Sequence, residues 1–175
     1  MAFIRPESPE TQSIDISKAN KTLIDILQSN TSLDKKKKGI ADLLMGCFDA
    51  QSCIIYHLDE NDRSMVTETN VFGKIPYVNN SRSVTEKKAA IARITKKAKE
   101  AIDYGIYDAG YETVVSMSCK TSKTNKSPGM IASLIRQKSK PMAMIVLMRD
   151  RSFYGDIEGV FNAFQPHIRS ILAEQ

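Results

Sequence analysis

The sequence predicts an α+β domain of the α/β class, with a central antiparallel sheet of about five or six strands and helices packed on both sides. Residues 142–148 form an apolar run that is too short to span a membrane and is stopped by Arg149-Asp150-Arg151, which is typical of a central strand covered on both faces. After a turn at 152–155, apolar residues recur at spacings of three and four up to Leu172, which lines one face of a helix. These faces need partners, so we expect a sheet between helices.

Length and composition favour one domain. With 175 residues, 42% of them hydrophobic, the chain can bury one core but is short for two. We expect a disordered lead-in over 1–12, an N-terminal helix over 13–31 and the domain itself over 32–175. No apolar stretch approaches the roughly 20 residues that span a bilayer, and the N-terminus lacks the apolar block of a signal peptide. We therefore expect a cytoplasmic protein.

The first and last predicted helices carry apolar stripes that suit helix packing. The stripes comprise Ile16, Ala19, Leu23, Ile26 and Leu27 in the first helix, and Ile168, Ile171 and Leu172 in the last. We expect the two helices to pack together and, across a two-fold axis, to form the four-helix bundle of a homodimer. The alternative is that the first helix folds back over its own chain.

The second helix and the first hairpin follow from local signals. Ser32 can cap a helix, with Asp34 favourably placed in its first turn. The lysine run 35–38 is interpreted as a solvated helix start, because consecutive residues on one turn point in different directions. Strands are predicted at 51–58 and 65–72, joined by the acidic turn at 59–62.

The net positive charge of the chain is concentrated in one segment. The chain has a net charge of +5, and residues 81–100 contain seven basic and two acidic side chains. A capping-box pattern at 83–86 predicts a helix that runs to about Tyr104 and presents an apolar stripe including Ile94 and Ala98. Its lysines either form a solvated basic face or reach an anionic ligand. Further strands are predicted at 113–119, 130–136 and from 141 onward.

The sequence contains no familiar catalytic motif. It has no G-x-G-x-x-G, P-loop or G-x-S-x-G pattern, and neither His57 nor His167 has a metal-ligand spacing on its own element. The three cysteines, Cys47, Cys53 and Cys119, match no zinc or redox motif. We therefore predict no catalytic residue, no metal and no evident cofactor.

The C-terminal third resembles that of a GAF domain. A central strand is followed by a charged turn, Phe153, Asp156, Glu158 and the helical stretch Ala163-Phe164-Gln165-Pro166-His167-Ile168. From Ser32, the order helix, strand, acidic turn, strand resembles the start of the same domain. The family's cyclic-nucleotide members commonly have Asn-Lys where this chain has Arg149-Asp150-Arg151, so cyclic-nucleotide binding is not predicted.

The resemblance implies a ligand site between one face of the sheet and the helices and loops inserted after its second strand. The basic helix occupies that position in the chain. A small anionic ligand such as a nucleotide would then contact Arg93, Lys97, Tyr104 and Tyr111. An enclosed pocket would favour ligand sensing, whereas a filled aliphatic interior would favour protein docking.

The leading functional hypothesis is a non-catalytic GAF-like regulatory domain. It would sense a small ligand or a partner and signal through dimeric terminal helices to an effector domain or protein. The alternatives are a ligand-free GAF-like dimerisation or docking module and, third, a basic nucleic-acid-binding domain. A short lysine run contributes little phosphate affinity, so nucleic acid ranks last. Free methionine sulfoxide reductases are GAF-like enzymes with cysteines in loops over the pocket, whereas Cys47 and Cys53 fall in a predicted helix and strand.

Overall fold

A computed structural model describes residues 14–59, 61–62, 65–76, 84–105, 113–118, 129–138, 140–151, 153 and 155–174. The helices in this part of the chain are α1 (Ile16–Gln28), α2 (Leu33–Phe48), α3 (Val84–Gly105) and α4 (Ile157–Leu172). The strands are β1 (Ser52–Leu58), β2 (Val66–Gly73), β3 (Thr113–Ser118), β4 (Gly129–Gln137) and β5 (Lys140–Arg149). Among these residues no helix combines the length and apolar character needed to cross a membrane. The predicted lead-in at 1–12 lies outside the described residues.

The strands form one antiparallel sheet in the order β2-β1-β5-β4-β3. The apolar run predicted as a central strand is β5, which pairs with β1 on one side and β4 on the other. Its residues from Ala143 to Arg149 are all buried, so the prediction of a strand covered on both faces is confirmed. Strands β2 and β3 form the two edges of the sheet.

Helices cover both faces of the sheet, as predicted. Because successive strand residues point to opposite faces, β1 and β5 contribute alternate side chains to two cores. Cys53, Ile55 and Ile145 pack with α1, α2 and α4, where the rings of Phe48 and Phe161 stack 5.1 Å apart. On the other face, Ile54, Tyr56 and Met144 pack with α3. The α+β class is therefore confirmed.

The terminal helices pack together within a single chain. Leu23 of α1 and Ile168, Ile171 and Leu172 of α4 have no exposed surface, and they belong to the same core. Ile26 and Leu27 are partly buried against that core. Contact between α1 and α4 was predicted, and the fold-back within one chain is the arrangement observed. Homodimerisation through these helices stays a prediction, and Ile16 (37% exposed) is the predicted interface residue with the most free surface.

The lysine run of α2 differs from its interpretation as a solvated helix start. Lys36 is 6% exposed and Lys37 is 1% exposed. The Lys36 Nζ atom donates to Leu27 O at 3.1 Å and to Glu174 Oε2 at 2.7 Å, so it joins the end of α1 to the C-terminal segment. The interpretation was wrong for these two lysines because tertiary packing supplies their ammonium groups with oxygen acceptors. Ser32 caps α2 as predicted, accepting from Lys35 N at 3.3 Å.

Candidate binding groove

A groove of about 680 Å³, open to solvent, lies between the edge strand β2 and the helix α3. Its lining residues are Val66, Thr69 and Val71 from β2 and Lys88, Ile91, Ala92, Thr95, Lys96 and Lys99 from α3. The groove therefore has an apolar and hydroxyl floor with three lysines along the helix. We refer to this set of nine residues as the β2–α3 groove.

The pairing of β1 with β2 explains why these β2 side chains face the helix. Val71 is opposite Ile54 and Thr69 is opposite Tyr56, and residues in direct register point to the same face of a sheet. Ile54 and Tyr56 belong to the core beneath α3. Val71 lies closer to the edge of the sheet than Ile54 and Tyr56 do, and it remains 39% exposed. The floor of the groove is thus an apolar surface that the chain itself covers only in part.

The helical repeat explains which lysines reach the groove. Ala90, Ile94 and Ala98 lie one turn apart and form the buried line of α3. With 3.6 residues per turn, Lys88, Lys96 and Lys99 project from the flank of the helix that faces β2. The described residues that line the groove include no carboxylate. The groove is therefore positively charged and suits an anionic group.

A partly buried hydrogen bond fixes α3 to the sheet beside the groove. The Tyr56 hydroxyl and Thr95 Oγ1 lie 2.7 Å apart, and Thr95 Oγ1 donates to Ile91 O at 2.8 Å. Burial raises the pKa of Tyr56 to about 12, so the phenol stays protonated and is the donor to Thr95. The flank that carries the lysines is therefore held at a defined height above β1.

Of the four predicted ligand residues, Arg93 and Lys97 do not line the groove. Arg93 is exposed and Lys97 is half-buried, and the helical repeat places both on the flank of α3 that faces away from the groove. Tyr104 is in α3 but its side chain is outside the described part of the structure, and Tyr111 lies outside the described residues. A role for these four residues in ligand binding stays a prediction. The sequence identified the basic helix but not its rotation relative to β2.

The interior between α3 and the middle of the sheet is filled. Ile94 and Ala98 pack on a fully or almost fully buried apolar layer that comprises Ile54, Tyr56, Met130, Ala132, Leu134, Met144, Val146 and Met148. The β2–α3 groove lies beside this layer, at the β2 side of α3.

Arg136 is a buried cation at the end of β4. It is 6% exposed, and strand alternation places it on the α3 face, because Leu134 lies on that face and Ile135 on the other. The extra residue of the adjacent β-bulge is in β5, so the alternation of β4 continues through Arg136. Its Nε and Nη2 atoms have no hydrogen-bond partner among the described residues.

The turn that resembles the GAF motif braces the fold. The Arg149 guanidinium lies 4.3 Å from the centroid of the buried Phe153 ring and donates to Phe48 O and Arg151 O, each at 3.1 Å. Asp156 caps α4 by accepting from Gly159 N at 3.0 Å. Arg149 thus joins the end of α2 to the turn after β5. The motif residues described here hold secondary structure together, which agrees with the departure from the cyclic-nucleotide pattern.

A second polar cluster lies on the other face of the sheet. Lys37 Nζ donates to Asn70 Oδ1 at 3.2 Å and lies 3.4 Å from Glu68 Oε1. Glu68 is opposite His57, whose Nε2 is buried without a hydrogen-bond partner among the described residues. Burial, with the Lys37 charge as a smaller cause, lowers the pKa of His57, while Glu68 acts in the opposite direction. His57 is therefore neutral at physiological pH.

Neither described cysteine is suited to nucleophilic chemistry. Cys47 is half-buried in α2 and Cys53 is fully buried in β1. Burial raises the pKa of the Cys47 thiol, and burial together with the Asp42 charge raises that of Cys53. Both thiols are therefore protonated, whereas the thiolate is the reactive form. The described residues contain no group of three or more histidine, cysteine and acidic side chains that could hold a metal ion.

An antiparallel sheet between helices, with a cationic groove beside one covering helix, defines this chain as a small α+β domain. No protein-family model and no curated protein sequence matches it. Comparison of structures shows that the fold is GAF-like, as the sequence resemblance implied.

Two solved structures illustrate the likeness. The chain is similar to the GAF domain of phosphoenolpyruvate-protein phosphotransferase from Acinetobacter, with a TM-score of 0.56 and 13% identity over 92% of this chain and 94% of that one. It is also similar to free methionine-R-sulfoxide reductase from Neisseria meningitidis in complex with its substrate, with a TM-score of 0.51 and 10% identity over 93% of this chain and 88% of that one. At these identities the likeness concerns the fold alone.

Proposed function

We propose that this chain is a non-catalytic GAF-like regulatory domain that binds an anionic ligand or partner in the β2–α3 groove. The observation that carries the proposal is the groove itself, in which three lysines border a partly exposed apolar floor and none of the described lining residues is acidic. Such a surface pairs charge with apolar burial, and the two together give specificity and affinity.

The arrangement of the elements gives a route from the groove to the terminal helices. A ligand on α3 contacts the helix that Thr95 ties to Tyr56 of β1. The opposite face of β1 packs on α2 and shares a core with α1 and α4. A ligand that prefers one position of α3 shifts the population of that position by its differential affinity. We propose that α1 and α4 pass this change to an effector domain or protein.

The chemistry of the described cysteines supports a binding role over catalysis. The sulfoxide reductase of similar fold is an enzyme, so the fold alone does not decide the question. Burial keeps Cys47 and Cys53 protonated, and neither lines the groove. Cys119 lies outside the described residues. These properties favour a domain that recognises a molecule without transforming it.

A protein-docking module is the second candidate, and the filled interior beneath Ile94 and Ala98 favours it. A small ligand enclosed between the sheet and α3 would need space that this apolar layer occupies. The groove at the edge of the sheet is open to solvent, which suits part of a macromolecule. Regulation by a bound partner is therefore compatible with both candidates.

Two double variants of α3 test the location of the site. Lys96→Glu/Lys99→Glu changes the groove flank, and Arg93→Glu/Lys97→Glu makes the same charge change on the opposite flank. Thermal shifts would be measured with linear nucleotides, cyclic nucleotides and polyglutamate at saturating concentration. We expect at least one anion to raise the Tm of the wild type and of the Arg93/Lys97 variant, but not that of the Lys96/Lys99 variant. The reverse pattern would move the site to the flank predicted from sequence, and no response to any anion would contradict the proposal.

A further inference from the structure

Among the described residues, strand β2 pairs with another strand on one side of its backbone only. It is an edge strand, and its ladder in this part of the chain is with β1. Two backbone hydrogen bonds show which residue pairs of that ladder are hydrogen-bonded. Lys74 N donates to Gln51 O, and Asp59 N donates to Met65 O, each at 2.9 Å. In an antiparallel ladder such hydrogen-bonded pairs alternate with pairs whose backbone N–H and C=O groups point away from the partner strand. The backbone N–H and C=O groups of Thr69 and Val71 therefore point to the open edge.

The same two residues line the groove with their side chains. Val71 is 39% exposed, and Met65, just before β2, is 56% exposed. An edge strand with free amide groups and exposed apolar side chains is a template for another strand. Proteins with such edges bind extended peptides by adding a strand, where backbone hydrogen bonds give affinity and side-chain pockets give specificity.

We infer that the groove takes an extended acidic segment of a partner protein, which pairs with the open edge of β2 and places carboxylates against Lys88, Lys96 and Lys99. This inference rests on the proposed function and names the class of partner for the same site. Side chains of an added strand alternate between the two faces of the sheet. Those on the α3 face meet the lysine flank and the exposed part of Val71, so that face of the segment would combine acidic and aliphatic residues.

Other occupants fit the surface less well. A nucleotide would use the lysines but not the amide groups of Thr69 and Val71. Single-stranded nucleic acid is held largely by stacking on aromatic side chains, and none of the nine residues of the groove is aromatic. A second copy paired edge to edge about a two-fold axis would bring two sets of the same lysines together, which like-charge repulsion disfavours.

Selection from random dodecapeptides displayed on phage tests the inference, with the Lys96→Glu/Lys99→Glu variant used to remove peptides that bind elsewhere. We expect the enriched peptides to be acidic, with aliphatic residues at alternate positions, and to shift the amide resonances of Thr69 and Val71. One such peptide would then be methylated at the backbone nitrogens that would donate to β2, with all its side chains unchanged. We expect this change to weaken binding at least tenfold. Equal binding of the methylated peptide would overturn strand pairing, and so would the absence of enrichment.

Two substitutions at one position provide matched controls on the protein. Val71→Pro removes an N–H that points to the open edge, a place where strands tolerate proline, and Val71→Ala removes most of the side chain but keeps the N–H. We expect binding of the selected peptide to fall at least tenfold with Val71→Pro and at most about threefold with Val71→Ala. Equal loss in both would refute backbone pairing, and if Val71→Pro does not fold, the methylated peptide decides. Anion-dependent thermal shifts without peptide binding would retain the proposed function and reject this partner.

Discussion

The guanidinium of Arg149 stacks on the ring of Phe153 at 4.3 Å and donates a hydrogen bond to the carbonyl of Phe48, the last residue of α2. Arg149 has no exposed surface, so this cation is held by a ring face and backbone oxygens in place of water. The turn after β5 is thereby tied to the end of α2. Arg149, which stands where the resemblance departs from the cyclic-nucleotide pattern, is thus a structural brace.

Removing this brace should destabilise the domain. Arg149→Met leaves the buried Phe48 carbonyl without its donor, and we expect the free energy of unfolding to fall by about 3 kcal/mol. Arg149→Lys should recover little, because an ammonium cannot reproduce the planar fork. Urea denaturation measures both. Arg151→Met, which removes a half-exposed ion pair with Asp49, is the control and should cost less than about 1 kcal/mol. Equal effects of Arg149→Met and Arg151→Met would contradict the role of Arg149.

Arg136 should behave in the opposite way. It is as deeply placed in the sheet, but its Nε and Nη2 atoms lack hydrogen-bond partners among the described residues. A guanidinium does not lose its charge in a protein, so its burial is costly. We expect Arg136→Met, which keeps much of the volume, to raise the free energy of unfolding by about 1–3 kcal/mol in urea denaturation. A loss of stability would show that Arg136 has an anionic partner in the folded protein.

His57 should make the fold sensitive to mild acid. Its pKa in the folded protein is lowered by burial and by Lys37, while the unfolded chain titrates near the ordinary value of about 6.5. The unfolded state therefore binds the proton more readily as pH falls through that value, and stability declines from about pH 7.5 toward 5.5. Denaturation of His57→Gln across this range should show a flatter pH dependence of the free energy of unfolding than the wild type shows. Identical slopes for wild type and His57→Gln would refute the prediction.

The strands and helices could be predicted because their signals are local. The apolar run of β5, the Ser32 cap of α2 and the acidic turn between β1 and β2 each depend on a few neighbouring residues. The terminal helices were also paired correctly, since their stripes needed partners. Which residues a helix packs against is a property of tertiary packing. Leu23 and Ile168 are buried within one chain, and association with a second chain stays a prediction.

The candidate groove could be predicted only as far as the helix that borders it. The basic helix was identified from its charge, but a rotation of about 100° per residue decides which of Lys96 and Lys97 faces β2. No sequence pattern gives that rotation relative to another element. The buried lysines of α2 were missed for a related reason. Their acceptors, Asn70 and Glu174, are remote in sequence and become neighbours only in the folded chain.

The free surface of α1 decides how dimerisation must be tested. Leu23→Glu would place a charge in the core between α1 and α4 whether or not two chains associate, because Leu23 is fully buried in one chain. Ile16 and Ile24 are 37% and 36% exposed, so Ile16→Glu/Ile24→Glu leaves that core intact. If the terminal helices form the predicted dimer, sedimentation at tens of micromolar, roughly where a weak dimer persists, should show a wild-type dimer and a folded monomer for this variant. Thr22→Glu/Gln28→Glu, at exposed polar positions of α1, is the control and should remain dimeric. A wild-type chain that sediments as a monomer under these conditions would refute the predicted dimer.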